Sequence, residues 1–101
     1  MATPESQGKD SPQALRMKAL REAMGYPTGS GFAAFLNVSV QRWNNVETGF
    51  PLGNQLAFLL VKKVPGLTLD WLYLGKPDGL PLELARRLGE VEPVRTVSTG
   101  R

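Results

Sequence analysis

Between Ser39 and Gly49 the chain reads SVQRWNNVETG, and four of these side chains, Gln41, Arg42, Asn44 and Asn45, are hydrogen-bonding groups set around a lone Trp43. A carboxamide carries a donor and an acceptor side by side and a guanidinium carries a fork of donors, so the set matches the hydrogen-bonding edges of nucleic-acid bases. Reading such edges in a DNA groove requires the amides to stand on a stiff rod. The run can form one: Ser39 is a natural N-cap, Trp43 and Val46 fall three apart on an inward stripe, and Gly49 is a stop. Val40, Gln41, Arg42, Asn44, Asn45 and Thr48 are then left outward or flanking.

A second short helix precedes it. YPTGSG is rich in breakers, and either Thr28 or Ser30 can cap a helix running from Ser30 to about Leu36. Asn37 stands where a glycine would end that helix, and asparagine is the next best residue for a left-handed terminus. The chain is therefore expected to turn sharply there and place the two helices across a tight turn. Thr28, Gly29 and Ser30 lie at the start of the first of them, where free N–H groups and the positive end of the helix dipole favour an anion such as phosphate.

The remaining elements must hold this pair. Ser11 followed by Pro12 opens a first helix with Leu15, Ala19, Leu20, Ala23 and Met24 as its apolar stripe, and Arg16, Lys18, Arg21 and Glu22 on a solvated face. From Asn54, QLAFLLVKKV is apolar almost all round and belongs at the centre of the core, with Lys62 and Lys63 suiting its negative end. Thr68 caps a short helix, LDWLYL, closed by Gly75. Pro81 then opens an amphipathic stretch with Leu80, Leu84 and Leu88 four apart and Gly89 as its stop. Trp43 and Trp71 are read as core anchors, and Glu47 as a local structural contact. Residues 1–11 form an arm, 12–76 the domain, 77–89 a turn and short helix, and 90–101 a tail.

The 101 residues are enough for one domain, and a 42% hydrophobic share supports one small core. Apolar runs break at Gly or Pro well before a membrane span is reached, and the polar start has no signal-peptide pattern, so a soluble, cytoplasmic protein is expected. Twelve Lys and Arg against nine Asp and Glu give a net charge of +3, which suits a polyanionic partner without requiring one. With no His and no Cys, the commonest general base, the commonest metal ligands and the thiol nucleophile are missing. No phosphate-cradling glycine motif appears, because GYPTGSG lacks the spacing and the lysine of a P-loop. The expectation is a protein that is not an enzyme and uses no metal or cofactor.

Ala33, Leu36, Asn37, Val38, Ser39, Trp43, Val46, Glu47 and Gly49 fall at the offsets of the lambda-repressor-like helix-turn-helix family, the Cro and phage-repressor type also called the xenobiotic-response-element family. LTLDWLYLG over residues 67 to 75 resembles that family's fifth helix, and the likeness spans roughly residues 13 to 76. Asn37 replaces the usual glycine, Trp43 a usual isoleucine or valine, and YPTGSG is richer in glycine than the family's second helix. The resemblance implies an all-α, compact five-helix DNA-binding domain with a helix-turn-helix, here followed by a short C-terminal helix.

It also implies roles. The family reads base edges with the first, second and sixth positions of the recognition helix, which are Val40, Gln41 and Asn45 in this chain. Gln and Asn can each bond adenine bidentately and valine can meet a thymine methyl, so a site containing A·T pairs is expected. Arg42 and Asn44 flank that face, with Arg42 suited to guanine or phosphate; Ser39 can cap its helix and donate to phosphate, beside Thr28, Gly29 and Ser30. The expected function is a sequence-specific transcriptional regulator, a repressor, binding double-stranded DNA as a homodimer. Leu72, Tyr73 and Leu74 are candidate dimer surfaces, as is the Leu80, Leu84, Leu88 stripe unless it folds back on its own domain. The alternative is an antitoxin-like module that uses the same fold to hold a protein partner.

Overall fold

The computed structural model describes residues 11–91, and the segments read as an arm and a tail lie, but for Ser11, Glu90 and Val91, outside the described residues. These residues form six α-helices and no strand: α1 (Pro12–Ala23), α2 (Gly29–Leu36), α3 (Val40–Glu47), α4 (Asn54–Lys63), α5 (Leu69–Leu74) and α6 (Leu82–Val91). The all-α expectation therefore holds.

The helix starts follow from side-chain caps. The hydroxyls of Ser11, Thr28, Ser39 and Thr68 each accept from the backbone N–H three residues on, at Ala14, Gly31, Arg42 and Trp71. Each satisfies one of the orphan N–H groups at a helix N-terminus. Thr28 is the cap of α2, so that helix begins at Gly29, one residue earlier than the sequence suggests.

One core joins all six helices. Met17 and Leu20 of α1, Phe32, Ala33 and Leu36 of α2, and Trp43 and Val46 of α3 pack with Leu56, Ala57 and Leu60 of α4, Trp71 and Leu72 of α5, and Leu84 and Leu88 of α6. Trp43 is fully buried, and its ring meets Phe32 edge-on at a centroid distance of 4.8 Å. Tyr26 and Phe35 extend this aromatic cluster, and Lys63 Nζ lies 5.6 Å from the Phe35 ring centroid, so the last turn of α4 supports α2 through a cation on an aromatic face.

Three sequence expectations are corrected. Arg21 does not face solvent: it is 7% exposed, because α3 packs alongside α1 and brings Glu47 to its guanidinium. The helix at 54–63 is not buried all round, since Phe58 is 59% exposed and only Leu56, Ala57 and Leu60 are buried within it. Gly89 does not stop the last helix, which runs through it to Val91; a glycine in a right-handed helical conformation costs only about 1 kcal/mol against alanine.

The leucine stripe of α6 folds back on α1, burying Leu84 and Leu88. Its docking is fixed at two further points. Arg87 donates to the free carbonyl of Ala23 at the end of α1, 3.2 Å away. Pro81 lies over Gly66, where an added Cβ would come within 2.3 Å of the proline ring and where φ is +87°, so only glycine fits that turn.

Candidate nucleic-acid interface

The geometry of the candidate site begins with Asn37. Its φ of 65° and ψ of 43° are left-handed, and its N–H reaches back to Ala33 and Ala34. The turn at 37–39 brings α3 onto α2, and these two helices pack on each other more extensively than any other pair does. The asparagine does this without glycine because its short side chain tolerates positive φ.

α3 is then anchored from below. Trp43 and Val46 point into the core. The Glu47 carboxylate accepts from Arg21 Nε at 2.6 Å and from Arg21 Nη2 at 3.4 Å, and it also accepts the Trp43 indole N–H. Arg21 Nη1 donates to the Tyr26 carbonyl at 2.9 Å. One charged group from α1 and one from α3 thus bond each other and the loop before α2, which fixes the roll of α3 about its own axis.

That roll decides what faces outward. Val40, Gln41, Arg42 and Asn44 are exposed and Asn45 is half-buried. Gln41 Nε2 donates to Asn45 Oδ1 at 2.8 Å, a bond across one helical turn. Asn44 turns to the other side, toward α2: a Cβ at Gly29 would lie 3.0 Å from Asn44 Oδ1 and 3.3 Å from Trp43 Cδ1. The start of α2 and the outer face of α3 therefore form one continuous surface. Thr28 and Ser30 stand on it as exposed hydroxyls 3.3 Å apart. Ser39 spends its oxygen accepting from Arg42 N at 3.0 Å and keeps its hydroxyl hydrogen to donate.

The electrostatics follow from the sequence. No carboxylate occurs between Glu22 and Glu47, and neither α2 nor α3 has an acidic residue in its first turn. The positive ends of both helix dipoles are left uncompensated, and Arg42 adds a full charge. Among the described residues no group of three or more His, Cys, Asp and Glu is placed to hold a metal ion, and no helix is long and apolar enough to cross a membrane.

A feature not foreseen from sequence adjoins this surface. Arg42, Asn45, Phe50, Pro51, Asn54 and Gln55 line an open groove of about 420 Å³ between α3 and the start of α4. Gly53 caps α4 without a side-chain bond, and no local sequence signal marks the groove, which forms where α4 is set beside α3. Of the basic residues on α1, Arg21 is bound to Glu47, and Arg16 donates to the carbonyls of Leu72 and Tyr73 at the end of α5. Lys18 alone of the three is exposed.

No protein-family model, curated protein or solved structure matches this chain.

Proposed function

We propose that the chain is a small sequence-specific DNA-binding regulator of the lambda-repressor-like type, whose α3 reads base edges in the major groove. The observation that carries this reading is the outer face of α3, where Val40, Gln41 and Asn45 stand outward on a helix locked in roll by Trp43 and the Arg21–Glu47 pair. A rigid helix has little backbone freedom left to lose on contact, and paired donors and acceptors distinguish base pairs in the major groove.

The flanking groups suit the backbone. Thr28, Gly29 and Ser30 present hydroxyls and the open start of α2, while Ser39, Arg42 and Asn44 border the reading face. Phosphate contacts of this kind set register and orientation and leave sequence to the base contacts. The carboxylate-free stretch from residue 23 to residue 46 lets a polyanion approach without repulsion.

One such face covers few base pairs, so the reading includes a homodimer whose two α3 helices enter the groove about 34 Å apart on half-sites roughly 10 bp apart. Leu72 is fully buried and cannot supply the contact, and α6 spends Leu84 and Leu88 on its own domain. Leu74 and Phe58, 63% and 59% exposed, are the most exposed large apolar side chains left for it on α5 and α4, with Leu69 and Tyr73 less exposed beside Leu74. Selection of bound duplexes from a random library tests the proposal. An enriched palindrome with that spacing is the expected result, and weak, salt-sensitive binding with no enrichment would refute it.

A further inference from the structure

The amides of the reading face are not independent. Gln41 Nε2 donates to Asn45 Oδ1 at 2.8 Å, on the outward side of α3. We propose that Gln41 and Asn45 read two neighbouring base pairs as one bridged unit, so that the preference at each base pair depends on both residues. The inference rests on the DNA-binding reading above and specifies how that site discriminates.

Each carboxamide has one acceptor oxygen and two N–H donors. The bridge commits one Gln41 donor and one lone pair of Asn45 Oδ1. Gln41 is left with its own carbonyl oxygen and one N–H, and Asn45 with both N–H groups. Two free amides would each turn to match adenine separately. The bridged pair instead presents a joint pattern, acceptor-rich at Gln41 and donor-rich at Asn45, and rotating either amide to suit another base breaks the bond between them.

The dimensions fit. Four residues of helix rise about 6 Å, and stacked base pairs along one strand are about 3.4 Å apart. The side chains converge from that rise, because the bonded amide atoms lie 2.8 Å apart, less than one base-pair step, so the pair can meet two neighbouring base pairs. Asn45 is half-buried and Gln41 is exposed, so the less mobile amide orients the more mobile one before any contact is made. Arranging the pair in advance lowers the side-chain entropy lost on binding.

A double-substitution cycle on the duplex that the wild-type protein enriches tests this, using Gln41→Ala, Asn45→Ala and the double variant. Both residues lie on the outer face, and unchanged melting confirms that the variants are folded. Each single variant is expected to bind the enriched duplex about 10-fold more weakly, with discrimination relaxed at both neighbouring base pairs. The double variant is expected to bind no more than about 20-fold more weakly, because either substitution already removes the joint pattern. Losses that multiply to about 100-fold, with each single variant relaxing only its own base pair, would overturn the bridged unit while leaving the proposed function standing. A wild-type protein that enriches no duplex would overturn both. Enrichment by the wild type with unchanged binding by all three variants would overturn the unit and the assignment of base reading to these two residues.

Discussion

Replacing Glu47 with alanine removes one carboxylate and, with it, the bonds that tie α3 to α1. Arg21 loses two contacts, at 2.6 and 3.4 Å, and keeps only its bond to the Tyr26 carbonyl. Trp43 loses the acceptor of its indole N–H. The Arg21 and Glu47 side chains are 8% and 15% exposed, so little water reaches the stranded groups. Breaking a buried pair from one side costs about 3–5 kcal/mol, and a buried donor left unsatisfied costs about 1–3 kcal/mol. The two overlap, and the small exposure of Glu47 admits some hydration, which puts the expected loss near 3 kcal/mol. A small domain has about 5–15 kcal/mol in total, so the variant should fold at 25 °C but unfold at a urea concentration lower by about 2 M, for a slope near 1.5 kcal/mol/M. The paired substitution Arg21→Met with Glu47→Leu, which removes both charges, should recover the part of the loss due to the stranded guanidinium, while the Trp43 indole N–H stays without its acceptor. A loss below about 1 kcal/mol for Glu47→Ala, or a paired variant as unstable as the single one, would refute this reasoning.

Other expectations follow from single positions. Asn37→Gly should leave stability nearly unchanged, and Asn37→Ala should cost about 1 kcal/mol because φ is 65° there; urea unfolding measures both. Gly66→Ala should cost at least about 2 kcal/mol, since the new Cβ meets the Pro81 ring and takes a strained φ, with faster hydrogen exchange in α6 as its local signature. The Glu83 carboxyl is held below its ordinary value first by the hydrogen bond from Arg86 and by that residue's charge. Its contribution to α6 is therefore present above the unfolded-state value and lost as pH falls through the depressed folded one; an NMR titration should show a low midpoint that rises in Arg86→Ala. Ser39→Ala should cost about 1 kcal/mol through the lost cap of α3.

Local chemistry made much of this fold readable. Ser11, Thr28, Ser39 and Thr68 announce helix starts through hydroxyls that can reach an orphan N–H, and Asn37 announces a left-handed stop. The spacing of Trp43 and Val46 fixes which side of α3 is buried, and so which side carries Gln41 and Asn45. What sequence did not show depends on neighbours from elsewhere in the chain. Arg21 reads as one of several charges on the outside of α1 until α3 brings Glu47 beside it. Phe58 looks like core because its run is apolar, yet only the inward stripe of α4 meets other helices. Helical propensity gave Gly89 as an end, but packing of Leu88 on α1 holds the helix together past it. The Gln41–Asn45 bond has the spacing that sequence could have flagged, four residues on one face, whereas the groove beside Arg42 exists only once α4 is placed.

The claim that the outer face of α3 reads DNA is tested most directly by titrating the ¹⁵N-labelled protein with its enriched duplex and following the backbone and side-chain amide signals. The expected result is that the largest shifts fall on residues 28–30 and 39–45, including the side-chain amides of Gln41 and Asn45, with the signals of α6 unmoved. Shifts concentrated on α5 or α6, with the Gln41 and Asn45 amides unchanged, would contradict the account.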